Sequence, residues 1–93
     1  MDPHNDTTMA TYQVRAETVG CKMVVGAKQM RKALLSGKAR RVYLACNADP
    51  AITEPLIALC QQYCVSFAWV KTMKDLGEAV GIEVGAAAAA ATA

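Results

Sequence analysis

Ninety-three residues with 54% hydrophobic but only 5% aromatic content make one small domain, its core drawn from Val, Ile, Leu and Ala. The net charge of +2 hides an uneven distribution: seven Lys/Arg lie between Lys22 and Arg41 with no Asp or Glu among them, and all eight acids fall outside that window. A polyanion is therefore the first partner to consider. No apolar run approaches the roughly eighteen residues of a membrane span, and the polar, acidic N-terminus is unlike a signal peptide, so a cytoplasmic protein with no membrane partner is expected.

In chain order, residues 1–10 read as a disordered tail, leaving a single domain over residues 11–93. Tyr12 to Val19 fits a short helix closed by Gly20, and Met23-Val24-Val25 a short strand. Gly26 then turns the chain into a helix from Ala27 to Leu35, ended by Gly37. Its apolar Ala27, Met30, Ala33 and Leu34 recur at helical spacing, leaving Lys28, Arg31, Lys32 and Leu35 on the opposite side. Arg40 to Cys46 reads as a strand with a basic head. Asp49 is a candidate N-cap and Pro50 suits the first helical position. The helix that follows runs to about Tyr63, with Ile52, Leu56, Leu59, Cys60 and Tyr63 as its core face. Pro55 sits awkwardly in its interior, so a start at Thr53 is an equal alternative. Val65 to Val70 reads as a strand, and Thr72 caps a helix from Met73 to Val80. Helices alternating with strands indicate an α/β sandwich. The run Ala86–Ala91 stays undecided: alanine favours helix, but β-branched residues alternate just before it.

The chemistry-bearing feature is the start of the helix at Gly26. Helix N-termini expose unpaired N–H groups and a partial positive charge, which attract phosphates. Lys28, Gln29, Arg31 and Lys32 add three cations and an amide within two turns. Cys21, Cys46, Cys60 and Cys64 form no C-x-x-C pair, and the one histidine, His4, lies in the expected tail. They read as small buried hydrophobes in a reducing compartment, with Cys60 and Cys64 on one helical face; no metal and no cofactor is expected. Trp69 reads as core, since its neighbours do not form the aromatic platform of single-strand binders.

The segments Gly26-Ala27-Lys28-Gln29-x-x-Lys32-Ala33-Leu34, Asp49-Pro50 and Leu76-Gly77-x-Ala79-x-Gly81-Ile82-Glu83-Val84-Gly85-Ala86-Ala87 together resemble the L7Ae/L30e ribosomal protein family, in particular its short bacterial branch. The resemblance spans roughly residues 12–93. It implies a three-layer α/β/α sandwich with a small mixed four-stranded sheet, in which Ala86–Ala91 belongs to the last strand. It also implies binding of kink-turn RNA, a helix bent sharply at a three-nucleotide bulge followed by sheared G·A pairs. Gly26 matches the tight turn into the helix, with Ala27 beside it in the expected RNA-binding set, and Lys32 matches the family lysine that contacts phosphate or a guanine edge. Lys28 and Gln29 stand where the wider family has Asn and Glu; the Gln29 carbonyl can still accept from guanine, without charge assistance. Arg31 joins the backbone contacts, and Ile82, Glu83 and Val84 align with the segment laid against the bulge nucleotides. Arg40 and Arg41 extend the phosphate footprint or form a solvated strand edge.

Three function classes follow. An RNA-binding, ribosome-associated protein recognising kink-turn RNA, as a monomer, fits best; ribosomal RNA and a riboswitch are the alternative carriers. A protein-interaction module on the same fold is the second class. An enzyme is the third and least supported, because the sequence lacks a phosphate loop, a G-x-S-x-G motif and any histidine outside the tail to activate a cysteine.

Overall fold

The computed structural model describes residues 8–92, so most of the expected disordered tail, residues 1–7, lies outside the described residues. The elements are β1 (Thr8–Met9), α1 (Thr11–Glu17), β2 (Lys22–Val25), α2 (Ala27–Leu35), β3 (Ala39–Ala45), α3 (Pro50–Gln62), β4 (Ser66–Val70), α4 (Met73–Val80) and β5 (Ala88–Thr92). The strands form one sheet in the order β1-β4-β3-β5-β2. Pairing is parallel for β1/β4 and β3/β4 and antiparallel for β5 with both of its neighbours. The mixed sheet thus has five strands rather than the four expected. The fifth is β1, two residues paired Thr8 with Trp69 and Met9 with Val70. Nothing local marks so short a segment as a strand; the open edge of β4 recruits it.

Side-chain alternation along the central strands divides the core into two layers. Val42 and Leu44 of β3 and Ala88 and Ala90 of β5 pack against Met30 and Leu34 of α2 and Leu56 and Cys60 of α3. Tyr43, Ala45, Ala89 and Ala91 face the other way, against Val14 of α1 and Leu76 and Ala79 of α4. The result is a three-layer α/β/α sandwich. Each buried leucine in it contributes about 1.5–3 kcal/mol.

The alanine run resolves as strand. All five residues of β5 are buried, with β3 on one edge and β2 on the other. A helix here would leave both edges without backbone partners in the middle of the protein, which outweighs the helix propensity of alanine. Methyl side chains also let both helical layers approach the sheet closely.

The α3 helix starts at Pro50 and carries Pro55 in its interior, with the Asp49 carboxylate accepting from the Ala51 N–H at 2.9 Å. Pro55 offers no N–H to the Ala51 carbonyl, but Ala51 is exposed, so water can satisfy it. The buried face is Thr53, Leu56 and Cys60. Ile52 and Tyr63, expected in the core, are 38% and 42% exposed, because the helix is rotated so that Thr53 rather than Ile52 is buried. Of the four cysteines only Cys60 is buried; Cys21 and Cys46 are half-buried and Cys64 is exposed. Cys64 lies past the end of α3 with φ 57°, so it does not share a helical face with Cys60.

Candidate nucleic-acid interface

The sheet topology sets up the site before any side chain is considered. Strands β1 to β4 run in one direction, and each leads directly into a helix. All four helix N-termini therefore gather at one end of the sheet, and β5, running oppositely, begins there too. In α/β folds the carboxyl ends of the parallel strands are where ligands settle.

At this end β2 stops at Val25 and Gly26 caps α2 with φ 96° and ψ 144°, a conformation open essentially to glycine alone. No side chain caps α2, so the N–H groups of Ala27, Lys28 and Gln29 have no acceptor within the helix. Burial of Met30, Ala33 and Leu34 fixes the rotation of the helix and turns Lys28, Gln29, Arg31 and Lys32 to solvent. Lys28, Arg31 and Lys32 are spaced i, i+3 and i+4 and share one stripe, beside Leu35 and Ser36.

The second expected segment lies next to the first. Gly81 ends α4 in the left-handed conformation, φ 82°, and the chain folds back along α4. The Ile82 N–H donates to the Gly77 carbonyl at 3.0 Å and the Ala86 N–H to the Met73 carbonyl at 2.9 Å. Ile82 is half-buried against the core, Glu83 is exposed, and Val84 is 71% exposed. The chain then enters β5, where the Ala87 carbonyl accepts from Ala45 at 3.0 Å and the Ala88 carbonyl from Gly26 at 3.1 Å. That last bond ties the start of α2 to the start of β5, directly after the loop.

Two features of this arrangement were not singled out from sequence. The Asn47 Oδ1 accepts from the Met73 N–H at 2.8 Å, so the turn after β3 anchors the start of α4, whose Met73 in turn holds Ala86. Gly77 carries the contact with the loop. A Cβ there would lie 2.2 Å from the Val84 carbonyl oxygen. The Leu76-Gly77 step of the motif was the available signal.

The basic window is divided by the fold. Lys22 begins β2, Lys38 follows α2, and Arg40 and Arg41 open β3, all at the other end of the sheet from the α2 N-terminus. Arg41 is engaged within the protein: its Nε lies 2.7 Å from Glu17 Oε1, an ionic contact off the hydrogen-bond direction, and its guanidinium sits 5.8 Å from the Tyr43 ring centre. Glu17 also accepts from the Tyr43 hydroxyl. Burial, reinforced by that bond and the Glu17 charge, pushes the Tyr43 hydroxyl well above its usual pKa. Of the seven cations, only Lys28, Arg31 and Lys32 stand on the exposed side of α2. Lys71 and Lys74 flank the Thr72 cap at the same end and are exposed.

Trp69 is half-buried, edge-on to Phe67 with ring centres 6.3 Å apart. Among the described residues no helix is long and apolar enough to cross a membrane, and no group of three or more His, Cys, Asp or Glu is placed to hold a metal ion. The surface suits electrostatic and apolar contact with a polyanion.

Comparison with known proteins agrees with the geometry. The chain is 41% identical over 75 residues to an RNA-binding protein of Caldanaerobacter subterraneus subsp. tengcongensis, covering 81% of this chain and 92% of the relative. It is 44% identical over 69 residues to the RNA-binding protein YbxF of Geobacillus stearothermophilus, covering 74% and 84% of the two chains. The fold is similar to that of a 15.5 kD RNA-binding protein of Giardia lamblia, with a TM-score of 0.80 at 22% identity over 100% of this chain and 84% of the other. Residues 9–93 match the model of the ribosomal protein L7Ae/L30e/S12e/Gadd45 family, and the chain belongs to that family.

Proposed function

We propose that this protein binds structured RNA without catalysing a reaction, and that its target is the kink-turn. The observation that carries this reading is the Gly26–Ala88 hydrogen bond, which sets an uncapped helix start bearing Lys28, Gln29, Arg31 and Lys32 beside the exposed Glu83-Val84 tip. A sharply bent RNA presents crowded phosphates and unstacked bases side by side. The helix start suits the first and the loop the second. Lys28, Arg31 and Lys32 position the backbone, the Gln29 amide meets a base edge, and Val84 covers a bulged nucleotide with Ile82 supporting it from below. Binding only the bent form shifts the RNA population toward it. The RNA-binding names of the relatives support the partner class, and the family's ribosomal description supports ribosomal RNA as the carrier, met in the cytoplasm by a monomer.

The test is titration of a doubly labelled kink-turn RNA, read by end-to-end energy transfer at low and moderate salt. The control replaces the sheared G·A pairs with Watson–Crick pairs. We expect bending of the authentic RNA only, with affinity falling steeply as salt rises. Equal, weak binding of both RNAs without bending would remove the kink-turn from the reading. Co-sedimentation with ribosomal subunits checks the ribosomal carrier.

A further inference from the structure

Beside the interface just described, α2 and α3 diverge to leave an open groove of about 300 Å³ lined by Ala27, Lys28, Arg31, Ala51, Ile52, Pro55 and Leu56. Its composition is two-sided. Lys28 and Arg31 stand on the α2 side, and no acidic residue lines it. The α3 side is apolar: Ile52 and Pro55 are exposed, over a floor of buried Leu56. This groove also accounts for the exposure of Ile52, a large apolar side chain left in solvent where helical spacing predicts core.

The groove is continuous with the proposed RNA surface, since Ala27, Lys28 and Arg31 belong to both. The start of α3 is not itself a phosphate site: the Asp49 carboxylate occupies the Ala51 N–H, Pro50 has none, and Ile52 and Thr53 donate to the Asp49 carbonyl. Phosphate attraction in the groove therefore comes from the α2 side alone, and the opposite wall offers only apolar contact. That pairing matches an unpaired nucleotide, which carries a flat, largely apolar face between two phosphates. It does not match a paired stem, whose bases are already stacked and whose backbone would gain nothing from Ile52 and Pro55.

We propose that the α2–α3 groove is a second RNA subsite that takes an unpaired nucleotide flanking the structured target, with the base against Ile52 and Pro55 and the adjoining phosphates at Lys28 and Arg31. The assignment rests on the RNA-binding reading but not on kink-turn specificity. It makes the RNA footprint wider than the bent element itself and gives α3 a part in recognition.

The test separates this subsite from the kink-turn. Protein carrying labelled isoleucine methyl groups is titrated with a short unpaired oligoribonucleotide, then with a blunt-ended kink-turn RNA, and then with the same RNA carrying a short unpaired extension on each strand end in turn. The subsite predicts that the unpaired oligomer shifts the Ile52 methyl resonance. It also predicts that one extension tightens binding of the wild-type protein about tenfold over the blunt RNA. Ile52→Glu places a carboxylate in the groove from an exposed position, so folding is retained. It should abolish the gain from the extension while leaving blunt kink-turn affinity within about twofold, an allowance for its weak field at Lys28 and Arg31. An Ile52 methyl unmoved by the oligomer, with extended and blunt RNAs bound equally, overturns the subsite while leaving the kink-turn reading intact and points to a protein occupant of the groove. A shifted methyl with no bending of the blunt RNA upholds the subsite and removes the kink-turn.

Discussion

The Gly26 N–H donates to the Ala88 carbonyl at 3.1 Å, tying the start of α2 to the start of β5. Two segments distant in sequence thereby become neighbours. Gly26 reaches this geometry at φ 96°, with nothing within 4 Å of where a Cβ would stand. Gly26→Ala should therefore cost backbone energy alone, about 1–3 kcal/mol. The expected result is a lowered melting temperature and weaker RNA binding, because relaxation of the strain displaces the α2 N–H groups. Unchanged stability would show that the turn tolerates a side chain.

Gly77→Ala acts differently, by collision with the Val84 carbonyl. The obstructing atom is backbone and cannot swing aside, so the loop must lift from α4 at a cost of about 1–3 kcal/mol. RNA affinity should fall along with thermal stability. Differential scanning calorimetry beside an RNA titration checks both effects.

Lys32→Ala removes an exposed charge from a helix whose packing rests on Met30, Ala33 and Leu34. Far-ultraviolet circular dichroism and melting temperature should hold, while RNA affinity drops and the slope of log affinity against log salt shrinks by about one. Arg41→Ala is the contrasting case. It should leave the salt slope unchanged, since Arg41 contacts Glu17 and Tyr43 at the other end of the sheet. A reduced slope in that variant would extend the interface to β3.

Val84→Ser tests the loop tip. Val84 is 71% exposed, so melting temperature should move little, and any loss of RNA affinity reports apolar contact with the ligand. The same substitution leaving affinity untouched would confine recognition to α2.

Alkaline stability follows from two buried groups. Burial raises the Cys60 thiol, and burial with the Glu17 hydrogen bond raises the Tyr43 hydroxyl. Both are held neutral in the fold more strongly than in the unfolded chain. Their contribution is therefore fully present below the unfolded pKa and is lost as pH rises toward the folded one. Denaturant unfolding should show stability falling above about pH 8.5 for Cys60 and above about pH 10 for Tyr43. Cys60→Ala should remove the first part of that pH dependence, at the cost of a small cavity.

The local code for α2 was complete in the chain. Met30, Ala33 and Leu34 at helical spacing determine which side faces the sheet, and so determine that Lys28, Gln29, Arg31 and Lys32 face outward. The caps Asp49 and Thr72 were legible for the same reason: each side chain accepts from an N–H only two or three residues ahead. Ile52 and Tyr63 misled because an apolar side chain marks a helical face only to within a fraction of a turn, and tertiary packing buried Thr53 instead. The family motifs foretold strand for the alanine run where propensity favoured helix. The physical reason lies in strand pairing, since only β2 and β3 on either side make an extended alanine segment the better solution. Tertiary structure alone recruited Thr8 and Met9 to the sheet edge. It also divided one basic window between the exposed start of α2 and the Glu17–Tyr43 contact, because the direction of each strand sends its two ends to opposite poles of the molecule.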